Sequence, residues 1–191
     1  MSSAYYPSSF LGEIPRQVLG PFRGPRDTLA KMGEHALGRY GEQSALVLAF
    51  THFVVQYVTP KDYLSELLAV RSAFVQPSPR DPNQPMFRYV SDPTHTETLK
   101  TPERLVREIQ AQGFTIGDCD DSSTLAATMG LILGREVELV AMGFAPGSLS
   151  HVGVRIREPK SKRWVWLDGV AGPREKEAAG RAKELLVWSL H

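Results

Sequence analysis

After Gly134 the spacing of apolar residues changes from helical to alternating, and this change of period limits the folds open to the chain more than any other feature. Upstream of it, Leu125, Met129, Ile132 and Leu133 recur at helical spacing, and Gly134 stands where a helix would be capped. Downstream, Val137, Leu139 and Ala141 alternate with other residues, and Val152, Val154 and Ile156 do so again. The run Trp164 to Leu167 follows the charged turn Glu158 to Lys162. A helical part followed by a short antiparallel sheet is the α+β class.

The helical part is punctuated by proline and glycine. Pro7, Pro15, Pro21 and Pro25 exclude a long helix from residues 1–25, which read as an extended N-terminal arm able to wrap its own domain or reach a protein partner. Helical spacing begins with Leu29, Met32, Ala36 and Leu37, with Asp27 or Thr28 as N-cap. A second helix is expected over Glu42 to Tyr57, and its run Ala45 to Phe50 reads as buried. A third follows Pro60, with Leu64, Leu67, Leu68 and Val75 along one stripe. Five prolines between Pro77 and Pro93 then impose a long irregular connection in which only Met86 to Val90 has extended character. Thr101, Pro102 and Glu103 combine a hydroxyl N-cap, a proline at N1 and an acid in the first turn, and that helix ends near Gly113. At 191 residues and 42% hydrophobic the chain holds enough apolar matter for one core. We therefore expect one domain over 26–191, with a helical part 26–134, a sheet part 135–170 and a C-terminal segment 171–191 in which Pro173 to Ala179 reads as a solvated helix.

Several function classes drop out on composition. The net charge of +1 comes from interspersed acids and bases, without the basic stripe that tracks a phosphate backbone, so nucleic acid is not expected as a partner. No run approaches the roughly 20 apolar residues of a membrane span, and the N-terminus lacks the pattern of a secretion signal, so the expected place is the cytoplasm. One cysteine excludes an internal disulfide and a Cys-rich zinc site.

That cysteine, Cys119, lies in GDCDDSS, Gly117 to Ser123, where a helix is about to start. Free backbone N–H groups and the positive end of the helix dipole favour an anion there, hence a thiolate. A small residue at a crowded helix start is the commoner explanation of such a position taken alone, so the downstream hairpin matters. If its strands fold about Pro159 and Lys160, Val154 faces Val165, Ile156 faces Arg163, and His151 lies directly opposite Asp168. Facing residues project from one side of the sheet with Cβ atoms about 5 Å apart. That face would carry His151, Asp168, Trp164 and Trp166. A histidine oriented by a carboxylate, with a cysteine at a helix N-terminus, is a constellation for acyl transfer: Cys119 as nucleophile, His151 as base, Asp168 as orienting acid. The N–H of Cys119 is one candidate oxyanion donor, Gln110 or Gln112 a second, and Trp166 a substrate contact.

The order GDCDD opening a helix, SHV (Ser150 to Val152) opening a strand and WVWLD (Trp164 to Asp168) on the next resembles the transglutaminase-like superfamily of papain-fold cysteine enzymes. YVSDP (Tyr89 to Pro93) and LKTP (Leu99 to Pro102) are similar to its bacterial and phage-associated branch. The resemblance covers roughly residues 85–170. It implies a cysteine helix packed on an antiparallel sheet, the Cys119, His151 and Asp168 triad, a peptide or isopeptide amide as substrate, and no cofactor. It also implies an alternative, a non-catalytic component of a phage-like particle that keeps the fold, and with it association with a virion. Asp118, Asp120 and Asp121 lack the spacing of a calcium loop and are expected to serve as first-turn acids, Asp118 as the cap and another bonding a loop, with no metal. His35, His52 and His95 have no partner of matching spacing and read as ordinary core or surface residues.

Overall fold

Helix formers and cap residues set the first half of the chain, and a computed structural model describes it together with the sheet: residues 16–19, 24–78, 80–92, 97–167 and 180–190. The elements run β1 (Arg16–Leu19), α1 (Pro25–Leu37), α2 (Ala45–Val55), α3 (Tyr63–Val75), β2 (Phe87–Tyr89), β3 (Glu97–Lys100), α4 (Pro102–Gln112), β4 (Thr115–Gly117) and α5 (Cys119–Ile132). β5 (Val137–Ala145), β6 (Ser148–Arg157), β7 (Trp164–Trp166) and β8 (Glu184–Leu190) complete them. The class is α+β. No helix among the described residues is long and apolar enough to cross a membrane.

Local chemistry fixes several helix ends where the sequence places them. The Thr101 hydroxyl accepts the Arg104 N–H, Pro102 occupies N1, and α4 stops at Gly113 with a left-handed φ of 90°. The Asp62 carboxylate caps α3 through the Ser65 N–H, and Ser44 caps α2 through that of Val47. Two ends differ from expectation. α1 begins at Pro25 behind Gly24, so Asp27 is a first-turn acid rather than the cap. α2 is shorter than expected, and its outer face is not buried: Leu48 is 41% and Phe53 59% exposed. An all-round apolar helix normally lies in a core; here one side packs on the core through Val47 and the other faces out.

α5 is the centre of the molecule. Every residue from Asp120 to Gly130 is buried, because α1 to α4 pack around it on one side and β5 and β6 on the other. Its composition suits that place. Ser122, Ser123, Ala126, Ala127 and Gly130 allow close approach, and a Cβ on Gly130 would meet Ile156 Cδ1 at 2.3 Å and Val137 Cγ2 at 3.1 Å. The Thr124 and Thr128 hydroxyls are satisfied within the helix, donating to the Asp120 and Thr124 carbonyls at 2.7 and 2.8 Å. Leu125 and Met129 join Leu29, Met32, Leu67 and Leu105 of the surrounding helices in the main core.

The sheet has the order β7-β6-β5-β8 and is antiparallel throughout. Gly147, φ 72°, turns β5 into β6. Leu139, Ala141, Val154 and Ile156 face α5 and the core. The sheet reaches beyond residue 170, because β8, within the segment expected to lie outside it, pairs with β5 from Val137↔Leu190 to Gly143↔Glu184. The Pro173 to Ala179 helix expectation falls outside the described residues. Two further pairs were not foreseen. β1, inside the expected arm, is antiparallel to β3, and β2 is parallel to β4.

The register of β7 corrects a second expectation. The pairs are Arg155↔Trp166, Ile156↔Val165 and Arg157↔Trp164, two residues away from the expected Val154 with Val165 and Ile156 with Arg163. The loop explains the displacement. Glu158 and Arg163 close it, with the Glu158 N–H donating to the Arg163 carbonyl at 2.9 Å, so the turn holds four residues and not two. The Glu158 carboxylate accepts the N–H groups of Lys160 and Ser161, and Lys162 takes a left-handed φ of 58°. A shift of two keeps every side chain on its face. Val165 and Leu167 accordingly still meet the core, while Trp164 and Trp166 lie beside Arg155, whose guanidinium carbon is 4.9 and 5.9 Å from their ring centres.

Candidate active site

Cys119 is the first residue of α5, a free cysteine that is half-buried as a residue. The chain is led there by β4, which runs beside β2 so that Tyr89 pairs with Gly117 and the Val90 N–H donates to the Gly117 carbonyl at 2.9 Å. Lys100 pins the same segment from β3. Its ammonium donates to the Ile116 carbonyl at 2.6 Å and to Glu108 at 2.9 Å, while Glu108 also takes Arg104 at 3.0 Å and the Thr115 hydroxyl at 2.5 Å. Glu108 is 6% exposed, and a carboxylate so buried is retained only with such a set of donors.

Three carboxylates surround the start of α5. Asp118 is the N-cap, its Oδ1 accepting the Asp120 N–H at 3.3 Å. Asp121 Oδ1 accepts the Lys100 N–H at 2.7 Å and so fastens β3 to the helix. These are the capping and loop-bonding roles read from sequence. The three groups nevertheless converge more than helix geometry alone implies, each offering an oxygen within 4.8 Å of the others. Burial, then the hydrogen bond and charge of Asp118, hold the Asp120 carboxyl well above the usual range. Burial likewise pushes Asp121 up to about 8, with the charges of Asp118 and Asp92 adding to the rise and the Lys100 N–H and ammonium opposing it. Asp120 Oδ2 is buried without a partner among the described residues, beside the Asp118 carboxylate whose charge helps to raise the Asp120 pKa.

Gly117 belongs to the same construction. A Cβ there would lie 2.5 Å from Asp121 Oδ2 and 2.8 Å from Asp121 Cβ, so the close seating of Asp121 on the chain requires glycine.

His151 is half-buried on β6, opposite Met142 of β5, and takes part in interactions with its surroundings. Alternation puts it on the sheet face of Gly153 and Arg155, where Val140 and Met142 are buried outside the main core. Helix and strand meet beside it. The Ser123 hydroxyl, one turn beyond Cys119 on the same side of α5, donates to the Val152 carbonyl at 3.2 Å. That carbonyl points the same way as the Val154 carbonyl, which accepts the Leu167 N–H at 3.0 Å. The second turn of α5 thus docks on the β7 side of β6 at the carbonyl of Val152, the residue after His151, beyond the described end of the β6–β7 ladder.

Asp168 lies outside the described residues. Gln112 donates to the Phe114 carbonyl at 3.0 Å in the turn after α4, so one of its amide hydrogens is engaged locally. Gln110 lies on α4 at a groove described below, and Trp166 is half-buried against Arg155. Sequence reasoning missed Ser123 and Tyr89. Tyr89, 50% exposed, pairs with Gly117 two residues before the thiol, and only the likeness of YVSDP singled out its segment. Nothing local distinguishes Ser123 from its neighbour Ser122, whose hydroxyl donates to the Cys119 carbonyl at 3.2 Å. Comparison with models of known protein families and with curated proteins finds no match.

Proposed function

We propose that this chain is a cysteine-dependent hydrolase or acyltransferase with a transglutaminase-like, papain-type fold, acting on a peptide or isopeptide amide. One observation carries the reading: a free, half-buried cysteine opens a buried helix whose next turn is hydrogen-bonded, through Ser123, to the carbonyl of the residue after His151. In this reading Cys119 sulfur attacks the amide carbonyl while His151 takes the thiol proton. The tetrahedral oxyanion is met by the Cys119 N–H, which as a first-turn donor has no intrahelical acceptor. Collapse breaks the C–N bond, His151 returns the proton to the leaving amine, and a thioester remains. Water or a second amine resolves it with His151 as base again, which restores the thiol and gives acid or new amide. Asp168 is assigned the orienting role on the resemblance and on chain order. The exposed Tyr89 beside Gly117 is the side chain best placed to meet the substrate.

A second reading, an interaction or structural protein with an idle triad, is favoured by the exposed apolar residues of α2 and α3, among them Phe53, Leu64 and Leu68. One experiment separates the two. Wild type, Cys119→Ser, His151→Ala and Asp168→Ala are treated with iodoacetamide at pH 6.5 and with a glutamine-containing peptide plus a fluorescent primary amine. The enzyme reading expects fast, site-specific labelling of wild type that slows at least about ten-fold in His151→Ala, and a release or transfer product that Cys119→Ser lacks. Equal slow labelling of wild type and His151→Ala, without product, leaves the structural reading.

A further inference from the structure

Between α2 and the C-terminal end of α4 lies an open groove of about 340 Å³, within the range of small-ligand sites. Its apolar wall is Phe50, Phe53, Met86 and Ile109, and Ala49 leaves room at the side of α2. Its polar end has two residues, Arg80 and Gln110.

Arg80 is held in place by contacts that use little of its guanidinium. Its N–H donates to the Ser78 hydroxyl at 3.1 Å, and Nη2 donates to the Gln110 carbonyl at 3.2 Å. The stem lies against Gly113, where a Cβ would come within 3.0 Å of Arg80 Cβ and Cγ and 2.5 Å of Ser78 Oγ. Among the described residues no carboxylate is within ion-pair distance of it. A C-terminal helix carbonyl takes one of five guanidinium donors, and the rest of the fork keeps the geometry that matches a carboxylate. The Gln110 side-chain amide, a donor and an acceptor side by side, has no protein partner among the described residues either.

We infer that this groove binds the C-terminal end of a peptide whose last side chain is apolar. The terminal carboxylate sits on Arg80, the last peptide unit pairs with the Gln110 amide, and the side chain enters the groove beside Phe53. Charge complementarity calls for an anion, the apolar wall for a hydrophobic group next to it, and the Gln110 amide for a peptide unit, for which a fatty acid has no use. The groove draws on α2, the connection before β2, and α4, with nothing from α5 or the sheet. The inference is therefore independent of the chemistry at Cys119.

The test is a titration of ¹⁵N-labelled protein with acetyl-Gly-Ala-Phe bearing either a free carboxylate or a C-terminal amide. 3-Phenylpropionate and decanoate serve as carboxylates without a peptide unit. The acid peptide should perturb the amides of Ala49, Phe53, Gln110 and Gly113 and bind at least about ten-fold more tightly than its amide, the difference a carboxylate on a forked donor makes. Arg80→Gln should erase that difference. Ala49→Trp, which fills the groove and leaves Arg80 in place, should abolish binding of both peptides. Equal affinity of acid and amide, or perturbations confined elsewhere, overturns the inference, and the wild-type comparison decides this even if a variant fails to fold. Binding of 3-phenylpropionate or decanoate as tightly as the peptide overturns the peptide assignment. Failure of the Cys119 labelling experiment leaves all these outcomes unaffected.

Discussion

Replacing Asp121 by asparagine should change how the stability of the protein depends on pH, in a direction that the geometry fixes. Asp121 is 3% exposed and its carboxyl is pushed up to about 8 from an ordinary value near 3.8. The folded chain thus holds this proton more tightly than the unfolded chain. Such a group adds stability that is complete below the unfolded value and is lost as pH climbs to about 8. Within that window one proton is worth about 1.4 kcal/mol per pH unit, so between pH 5 and pH 7 the group gives up roughly 2.7 kcal/mol at most. For a domain of this size each kcal/mol moves Tm by about 2 to 4 °C, which makes about 5 to 10 °C. Asparagine keeps an oxygen for the Lys100 N–H and has no proton to lose, so its contribution is flat. His35 works in the opposite sense: burial lowers its pKa, and the stability it contributes falls as pH drops through the range below 6.5. Asp120 also has a raised pKa, chiefly from burial, which the variant keeps, and to a lesser extent from the charge of Asp121, which the variant lacks. The quantity to measure is therefore the difference in Tm between wild type and Asp121→Asn, by calorimetry at half-unit intervals from pH 5 to pH 8.5. Wild type should lose ground steadily to the variant as pH rises. Parallel profiles, or a wild type that gains on the variant, would show that Asp121 is ionised throughout and would refute the buried, proton-holding cluster at the start of α5.

What the sequence discloses here is what neighbours along the chain decide. Thr101, Asp62 and Asp118 cap helices because an oxygen reaches an N–H two or three residues on, and no distant contact is needed. The position of Cys119 at a helix start follows from the same chemistry. The segregation of Trp164 and Trp166 from Val165 and Leu167 is also legible, because alternation survives any shift of register by two. The register itself was not, since a side chain decided the turn: the Glu158 carboxylate collects two loop N–H groups and lengthens the turn, a choice that hydrophobic pattern does not encode. β8 was missed for a related reason. Leu185, Val187 and Trp188 are all substantially exposed, so this edge strand shows no clean division into inner and outer residues, and its pairing with β5 sets its conformation. The exposed side of α2 ran against composition, which made Ala45 to Phe50 look like core.

Three further outcomes test the site. Gly117→Ala should cost about 1 to 3 kcal/mol, because the methyl group meets the short, stiff Asp121 side chain, and the amide resonance of Lys100 should shift as its acceptor is displaced. Asp118→Ala should lower stability by about 1 kcal/mol through loss of the cap, whereas Asp118→Asn should be nearly neutral in chemical denaturation, an amide oxygen capping almost as well. The third concerns Ser123, whose hydroxyl ties α5 to β6 beside His151. Ser123→Ala leaves the Val152 carbonyl without that donor and should cost about 1 kcal/mol. If this tie sets the approach of helix and strand, loosening it should reduce the part of the Cys119 labelling rate that depends on His151 and leave the rate of His151→Ala itself unchanged. A double-mutant cycle between the two positions reads that coupling directly. A Ser123→Ala protein that loses stability yet labels as fast as wild type would show that the helix–strand contact and the thiol chemistry are unconnected, and the acyl-transfer reading would lose the observation on which it stands.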